Sequence, residues 1–151
     1  MSTIASPRQA VATGIDPRGP RFAASLTSVA LALVLVTPTP VAVTVLALQT
    51  VVFAIGALRG VQHTPYAWAF KTFVRPRLSP PRDLEDPRPP RFAQTVGLGF
   101  AVVALLGFAA GLGVVGLVAT GFALAAALLN AVFGFCLGCE IYLLLRRATA
   151  R

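Results

Sequence analysis

The chain has 151 residues, of which 56% are hydrophobic and only 12% charged, with a net charge of +8. Soluble domains carry about 25% charged residues, so this composition excludes an ordinary cytosolic enzyme, a disordered chain and a collagen. It points to an integral membrane protein in which the placement of the positive charges sets orientation, and not to a nucleic-acid binder.

Residues 1–15 are polar and lack the apolar run of a secretory signal peptide, so they are expected to be a disordered tail. Four apolar stretches follow. Phe22–Thr37 stops at Pro38 and Pro40; Val41–Leu58 stops at Arg59-Gly60; Phe92–Gly111 is the third. The fourth runs from Val114 to Leu145, interrupted by Glu140. Its 32 residues correspond to about 48 Å of helix, too long for a hydrocarbon core of about 30 Å. Part of it must therefore be a loop, a tilted end or an interfacial extension, and the span is expected to start near Thr120. Lipid cannot satisfy unpaired backbone groups, so each stretch is predicted to be a helix.

The chain repeats itself. Ile15-Asp16-Pro17-Arg18-Gly19-Pro20-Arg21-Phe22-Ala23 matches Glu85-Asp86-Pro87-Arg88-Pro89-Pro90-Arg91-Phe92-Ala93 at seven of nine positions, at an offset of 70 from Asp16 to Asp86. Val52-Phe53 aligns with Val132-Phe133 at an offset of 80. The expected architecture is all-α, with four transmembrane helices arranged as two tandem helical hairpins. Repeat 1 covers 16–78, a linker 79–85 and repeat 2 86–147, all in one membrane domain, with a tail at 148–151. Arg21 and Arg91 stand just before the apolar runs, where they can anchor to lipid phosphates.

All thirteen basic residues flank the same ends of the stretches, while the connections near Thr37–Pro40 and Gly111–Gly113 are neutral. The positive-inside rule then places both termini and the middle loop in the cytoplasm of an inner-membrane protein. In that loop Tyr66, Trp68, Phe70 and Phe73 predict a short interfacial helix. Ser79–Pro90, with five prolines, reads as an extended linker.

The chemical candidates are Cys136 and Cys139, spaced so that two sulfurs on a helix share one side. Placed late in a continuous helix and beside Glu140, they are expected to have raised thiol pKa values. A thiolate then needs a cation from another helix. The offset of 80 nominates Arg59, with Glu140 as the other modulator. On the cytoplasmic side no stable disulfide is expected. The competing reading is packing alone: Gly134 and Gly138, like Gly107 and Gly111, form G-x-x-x-G patterns that admit close helix contact and suit a homodimer. Gln49 and Asn130 are expected to bond between helices. His63 lies in the loop, and neither a metal nor a cofactor is expected.

The duplicated Asp-Pro-Arg-x-Pro-Arg-Phe element, the four spans and Gly134-Phe135-Cys136-Leu137-Gly138-Cys139-Glu140-Ile141-Tyr142 together resemble a bacterial membrane family catalogued as domain of unknown function 4395, over Ile15 to Arg147. The Gly-Phe-Cys segment is also similar to the membrane part of rhodanese-linked inner-membrane proteins. The resemblance implies that Cys136 and Cys139 take part in thiol redox or sulfur transfer with a cytoplasmic thioredoxin-like or rhodanese-type partner. The alternative is a non-catalytic membrane scaffold or anchor that recruits a partner.

Overall fold

Proline and glycine build the two neutral turns of the structure, a computed structural model that describes residues 14–150. Helix α1 (Arg18–Val36) ends because Pro38 forces Thr37 into extended backbone (φ −103°, ψ 158°). Pro40 then lies in the first turn of α2 (Thr39–Arg59), where a missing N–H costs nothing. Helices α4 (Arg88–Ala109) and α5 (Gly113–Phe133) meet through Gly111, whose φ of +73° suits a residue without a Cβ. Between the hairpins lie a 3-10 turn (Val61–His63), the short α3 (Pro65–Ala69), a π-helical turn (Phe70–Val74) and a second 3-10 turn (Arg75–Arg77). Helix α6 (Leu137–Thr149) closes the chain.

Helices α1, α2, α4 and α5 are each long and apolar enough to cross a membrane. They form a ring: α1 packs on α2 and α5, and α4 packs on the same two. Inside lie Leu31, Val34, Leu46, Phe53, Ala101, Ala104, Ala119 and Ala123. Small side chains dominate on α4 and α5, which lets the second hairpin close tightly; a Cβ on Gly107 would stand 2.8 Å from the backbone nitrogen of Gly116. Val29, Val51, Leu106, Val118 and Phe122 face outward. Such a surface is untenable in water and is the natural exterior of a bundle in lipid. The chain is an all-α, multi-pass membrane protein.

The repeat is a rotation. Ile15 and Glu85 exchange both backbone hydrogen bonds, each at 2.9 Å, as an isolated antiparallel bridge. They are equivalent residues at the offset of 70, so the pair lies on a pseudo-twofold axis, which relates one surface to itself. The axis exchanges α1·α2 with α4·α5. Helices α2 and α5 match end to end at an offset of 74 (Thr39 to Gly113, Arg59 to Phe133). This corrects the offset of 80: Arg59 corresponds to Phe133, not to Cys139. The fourth span also begins at Gly113 rather than near Thr120, and it ends at Phe133.

Arg21 and Arg91 do more than anchor. Arg21 crosses to the other repeat and donates to the carbonyls of Ala131 (3.1 Å) and Val132 (2.9 Å) at the end of α5. Arg91 does the same at Ala57 (2.7 Å) and Leu58 (2.8 Å) at the end of α2. A helix leaves its last carbonyls without partners, and these guanidiniums supply charge-assisted ones where the dipole is negative. Asp16 and Asp86 hold Arg18 and Arg88 in turn. The side-chain hydrogen bonds from Arg18 hold the Asp16 carboxyl below the usual carboxylate range, against a smaller opposing effect of burial. Those from Arg88 do the same for Asp86.

Gln49 bonds between elements as expected. Its amide donates to Thr27 Oγ1 (3.3 Å) and its Oε1 accepts from Tyr66 Oη (2.6 Å). Burial raises the Tyr66 phenol, which keeps it a donor. Asn130 makes no side-chain hydrogen bond among the described residues. The loop aromatics divide: Phe70 turns inward onto Phe22, with ring centroids 5.8 Å apart, while Trp68 and Phe73 stack edge-on at the surface. His63 is exposed.

Replacing Arg21 or Arg91 by Ala will lower thermal stability in detergent by about 1 kcal/mol each, because two exposed charge-assisted bonds are lost. The two losses will add, and thermal unfolding of the single and double variants measures this. Lowered carboxyl pKa values stabilise the fold above the ordinary value of 3.8, and that contribution disappears as pH falls through the folded-state values. Asp16→Asn will therefore shrink the loss of stability on acidification below about pH 4, read from unfolding midpoints across pH.

Candidate functional site

Gly134 determines where the two sulfurs sit. It ends α5 in the left-handed region (φ +67°), with its N–H on Asn130 O (3.0 Å) and the Phe135 N–H on Leu129 O (3.3 Å). The first is the five-to-one bond of a helix stopped by a left-handed glycine. Gly60, its equivalent at the offset of 74, ends α2 with φ +104°. The chain then leaves the bundle and starts α6 at Leu137, with Cys136 as the N-cap.

This overturns the expectation of a continuous helix with thiols late in it. Cys136-Leu137-Gly138-Cys139 opens a helix, and the N-terminal dipole favours negative charge on the Cys136 sulfur instead of opposing it. The Cys136 Sγ accepts the Cys139 N–H at 3.3 Å. The two sulfurs are joined in a disulfide, with Cα atoms 5.2 Å apart, where none was expected. Both residues are half-buried. Glu140 is exposed in the first turn of α6, a place where an acid suits the helix dipole.

Among the described residues, the Arg59 side chain makes no hydrogen bond or ion pair. Helix α6 packs against α4 and touches α5, whereas Arg59 ends α2. The cation that another helix does bring to this segment is Arg21, which sequence reasoning missed as a partner. While it caps α5, its Nη1 lies 3.9 Å from the position of a Cβ on Gly134, two residues before Cys136. The signal for it was the repeat itself, since Arg91 stands in the same relation to α2.

The glycines read as helix-packing patterns have other duties. Gly134 is a helix stop and Gly107 closes the hairpin within the chain. Gly138 lets α6 settle on α4: a Cβ there would meet the Cα and Cβ of Ala93 at 2.7 Å. Tyr142 then packs on Phe92, with centroids 5.7 Å apart. Gly107 and Gly138 therefore make their close contacts within the chain. No group of three His, Cys, Asp or Glu residues lies together among the described residues.

The first repeat contains the same construction without sulfur. Thr64 is the N-cap of α3, and its Oγ1 accepts the Ala67 N–H at 3.2 Å. Phe70 packs on Phe22 as Tyr142 packs on Phe92. An offset of 72 (Thr64 to Cys136, Phe70 to Tyr142) superposes the two, and places Ala67 at Cys139. Capping this helix needs a side-chain acceptor, which oxygen supplies as well as sulfur. The second position needs only a small residue.

A four-residue disulfide loop also contributes little as a staple, about 2 kcal/mol in the chain-entropy estimate against about 3 for fifteen residues. The double replacement Cys136→Thr/Cys139→Ala, which copies the first repeat, will therefore leave the fold intact. The unfolding midpoint in reducing buffer will move by the equivalent of less than about 1 kcal/mol.

The family model described as domain of unknown function (DUF4395) matches residues 15–147. No curated protein matches the chain. No solved structure matches it either. The match takes in both repeats, the interfacial loop and the Cys136–Cys139 helix start, and the chain belongs to the family described as domain of unknown function 4395.

Proposed function

We propose that this protein is a membrane thiol–disulfide exchange component acting through Cys136 and Cys139. The observation that carries the reading is the contrast between the repeats: the same N-cap is made by Thr64 in one half, and two sulfurs replace Thr and Ala in the other. A packing role gives no reason for that difference.

Cys136 is the attacking thiol. Its sulfur has the helix N-terminus and the Cys139 N–H to stabilise a thiolate. The thiolate attacks one sulfur of a partner disulfide, forming a mixed disulfide and releasing the first partner thiolate. Cys139, deprotonated, then attacks the Cys136 sulfur, closes the internal disulfide and releases the second. Two electrons pass to the partner, and its two thiolates take up the two protons that Cys136 and Cys139 gave up. A dithiol protein returns the internal pair to its reduced form by the reverse steps.

The described basic residues cluster at the end of the bundle where α1 and α4 begin and α2 and α5 finish. The charge rule assigns that end to the cytoplasm, so the partner is a cytoplasmic dithiol protein of the thioredoxin-like class. The amphipathic α6, with Leu144 and Leu145 exposed beside Arg146 and Arg147, suits the headgroup boundary and holds the sulfurs at that depth.

Purified protein equilibrated with redox buffers of graded potential will show a reversible two-electron transition by thiol alkylation and mass. Cys136→Ser will abolish formation of a mixed disulfide with a partner protein supplied in its disulfide form, and Cys139→Ser will accumulate it. Thiols that resist a permeant alkylating reagent in reduced membranes would leave the scaffold reading in place instead.

A further inference from the structure

The first repeat has a cavity of about 420 Å³ where the second has its cysteines. Thr64 and Ala67, the counterparts of Cys136 and Cys139, are in its wall, together with Phe70, Ile15 and Leu84. It opens at the end of the bundle where the basic residues gather. Its size falls in the range of small-molecule sites.

Its polar groups pair only in part: Lys71 Nζ donates to the Gln62 backbone carbonyl at 3.3 Å, and the glutamine side chains stay unpaired. Gln62 from the 3-10 turn and Gln94 from α4 both line it, and the Oε1 atoms of both are buried without a hydrogen-bond partner. Buried amides are ordinarily satisfied, so two unpaired glutamines in the wall of one cavity ask for a ligand. Lys71 and Arg75 stand at the same cavity, exposed, and form no ion pair among the described residues. Asp16, the acid in the wall, has both carboxylate oxygens engaged by Arg18. Positive charge is therefore left over at the mouth and unmet amides inside, above an apolar floor.

Part of this polarity belongs to one half alone. At the offset of 72, Lys71 corresponds to Leu143, whereas Arg75 corresponds to Arg147; at the offset of 70, Gln94 corresponds to Ala24. The repeated fold does not require Lys71 or Gln94.

We infer that this cavity binds a hydroxylated phosphate ester, with the phosphate on Lys71 and Arg75 and hydroxyls on the amides of Gln62 and Gln94. A hydroxyl both donates and accepts, so it satisfies an amide in either orientation. An ammonium group in its place would be repelled by the two cations. The headgroup of phosphatidylglycerol and free glycerol 3-phosphate share this chemistry.

Native mass spectrometry of the full chain in neutral detergent tests it, with phosphatidylglycerol, phosphatidic acid, phosphatidylcholine and glycerol 3-phosphate as probes. Phosphatidylglycerol will be retained one to one, about tenfold more tightly than phosphatidylcholine. Lys71→Ala/Arg75→Ala will weaken retention of both anionic lipids. Gln94→Leu and, separately, Gln62→Leu will each weaken phosphatidylglycerol about fivefold and leave phosphatidic acid, whose phosphate carries no glycerol hydroxyls, unchanged. Displacement of the lipid by equimolar glycerol 3-phosphate identifies the free ester as the ligand of the same site. Retention that does not distinguish phosphatidylglycerol from phosphatidic acid, or that survives both glutamine replacements in folded protein, overturns the inference. So does failure of both phosphate esters to bind better than phosphatidylcholine. Unchanged thermal stability of the variants marks them as folded.

Discussion

A helix that ends at a membrane boundary must satisfy its last carbonyls close to lipid, and the exchange of arginines between the two halves meets that constraint here. Arg21 caps α5 and Arg91 caps α2, each reaching across the bundle. Because each guanidinium belongs to one repeat and each helix end to the other, neither hairpin is finished alone. The Ile15–Glu85 bridge fixes the start of both repeats at the axis. Helix ends, interface segments and the sulfur pair all take their positions from these contacts.

Much of this was legible in residues. Four apolar runs, two proline-rich turns and one-sided charge gave the bundle, because lipid admits few alternatives to a helix. What was not legible was the break in the fourth run. Arg59-Gly60 was read as a stop because charge accompanied the glycine, whereas Gly134 lies in an uncharged stretch and looked like a packing residue. Both end a helix at a positive φ that favours glycine. Hydropathy cannot report such a stop, since leaving the bundle along the interface keeps one face of the helix apolar. Aligning Gly60 with Gly134 would have given the offset of 74, the helix end at Phe133 and the N-terminal place of Cys136. Aligning two Val-Phe pairs instead sent Arg59 to the wrong position and hid Arg21.

Three offsets, 70 at the Asp-Pro-Arg elements, 74 at the second spans and 72 at the interfacial helices, mean that insertions and deletions fell in the turns while the packed contacts were kept. Phe22 on Phe70 and Phe92 on Tyr142 are one contact made twice. A duplicated fold thus offers its own control. Features present in both halves, such as the arginine caps and the aromatic pairs, are explained by folding. Features present in one half need another cause.

Two features survive that comparison, and they occupy equivalent places. One half has sulfurs at a helix start, and the other has a cavity with two unmet amides beside Lys71. The interface segments that carry them face the same end of the bundle, on opposite sides of the axis. The Ile15–Glu85 pair lies between them, with Ile15 in the wall of the cavity and Glu85 next to Asp86, which orients Arg88 at the start of α4. Helix α4 then carries Gln94 toward the cavity, and its Ala93 supports Gly138 beneath the sulfurs. Consecutive residues of a single helix therefore touch both places, so a shift of α4 along its axis would be felt at each. Whatever occupies the cavity rests against the element on which the sulfur-bearing helix is seated.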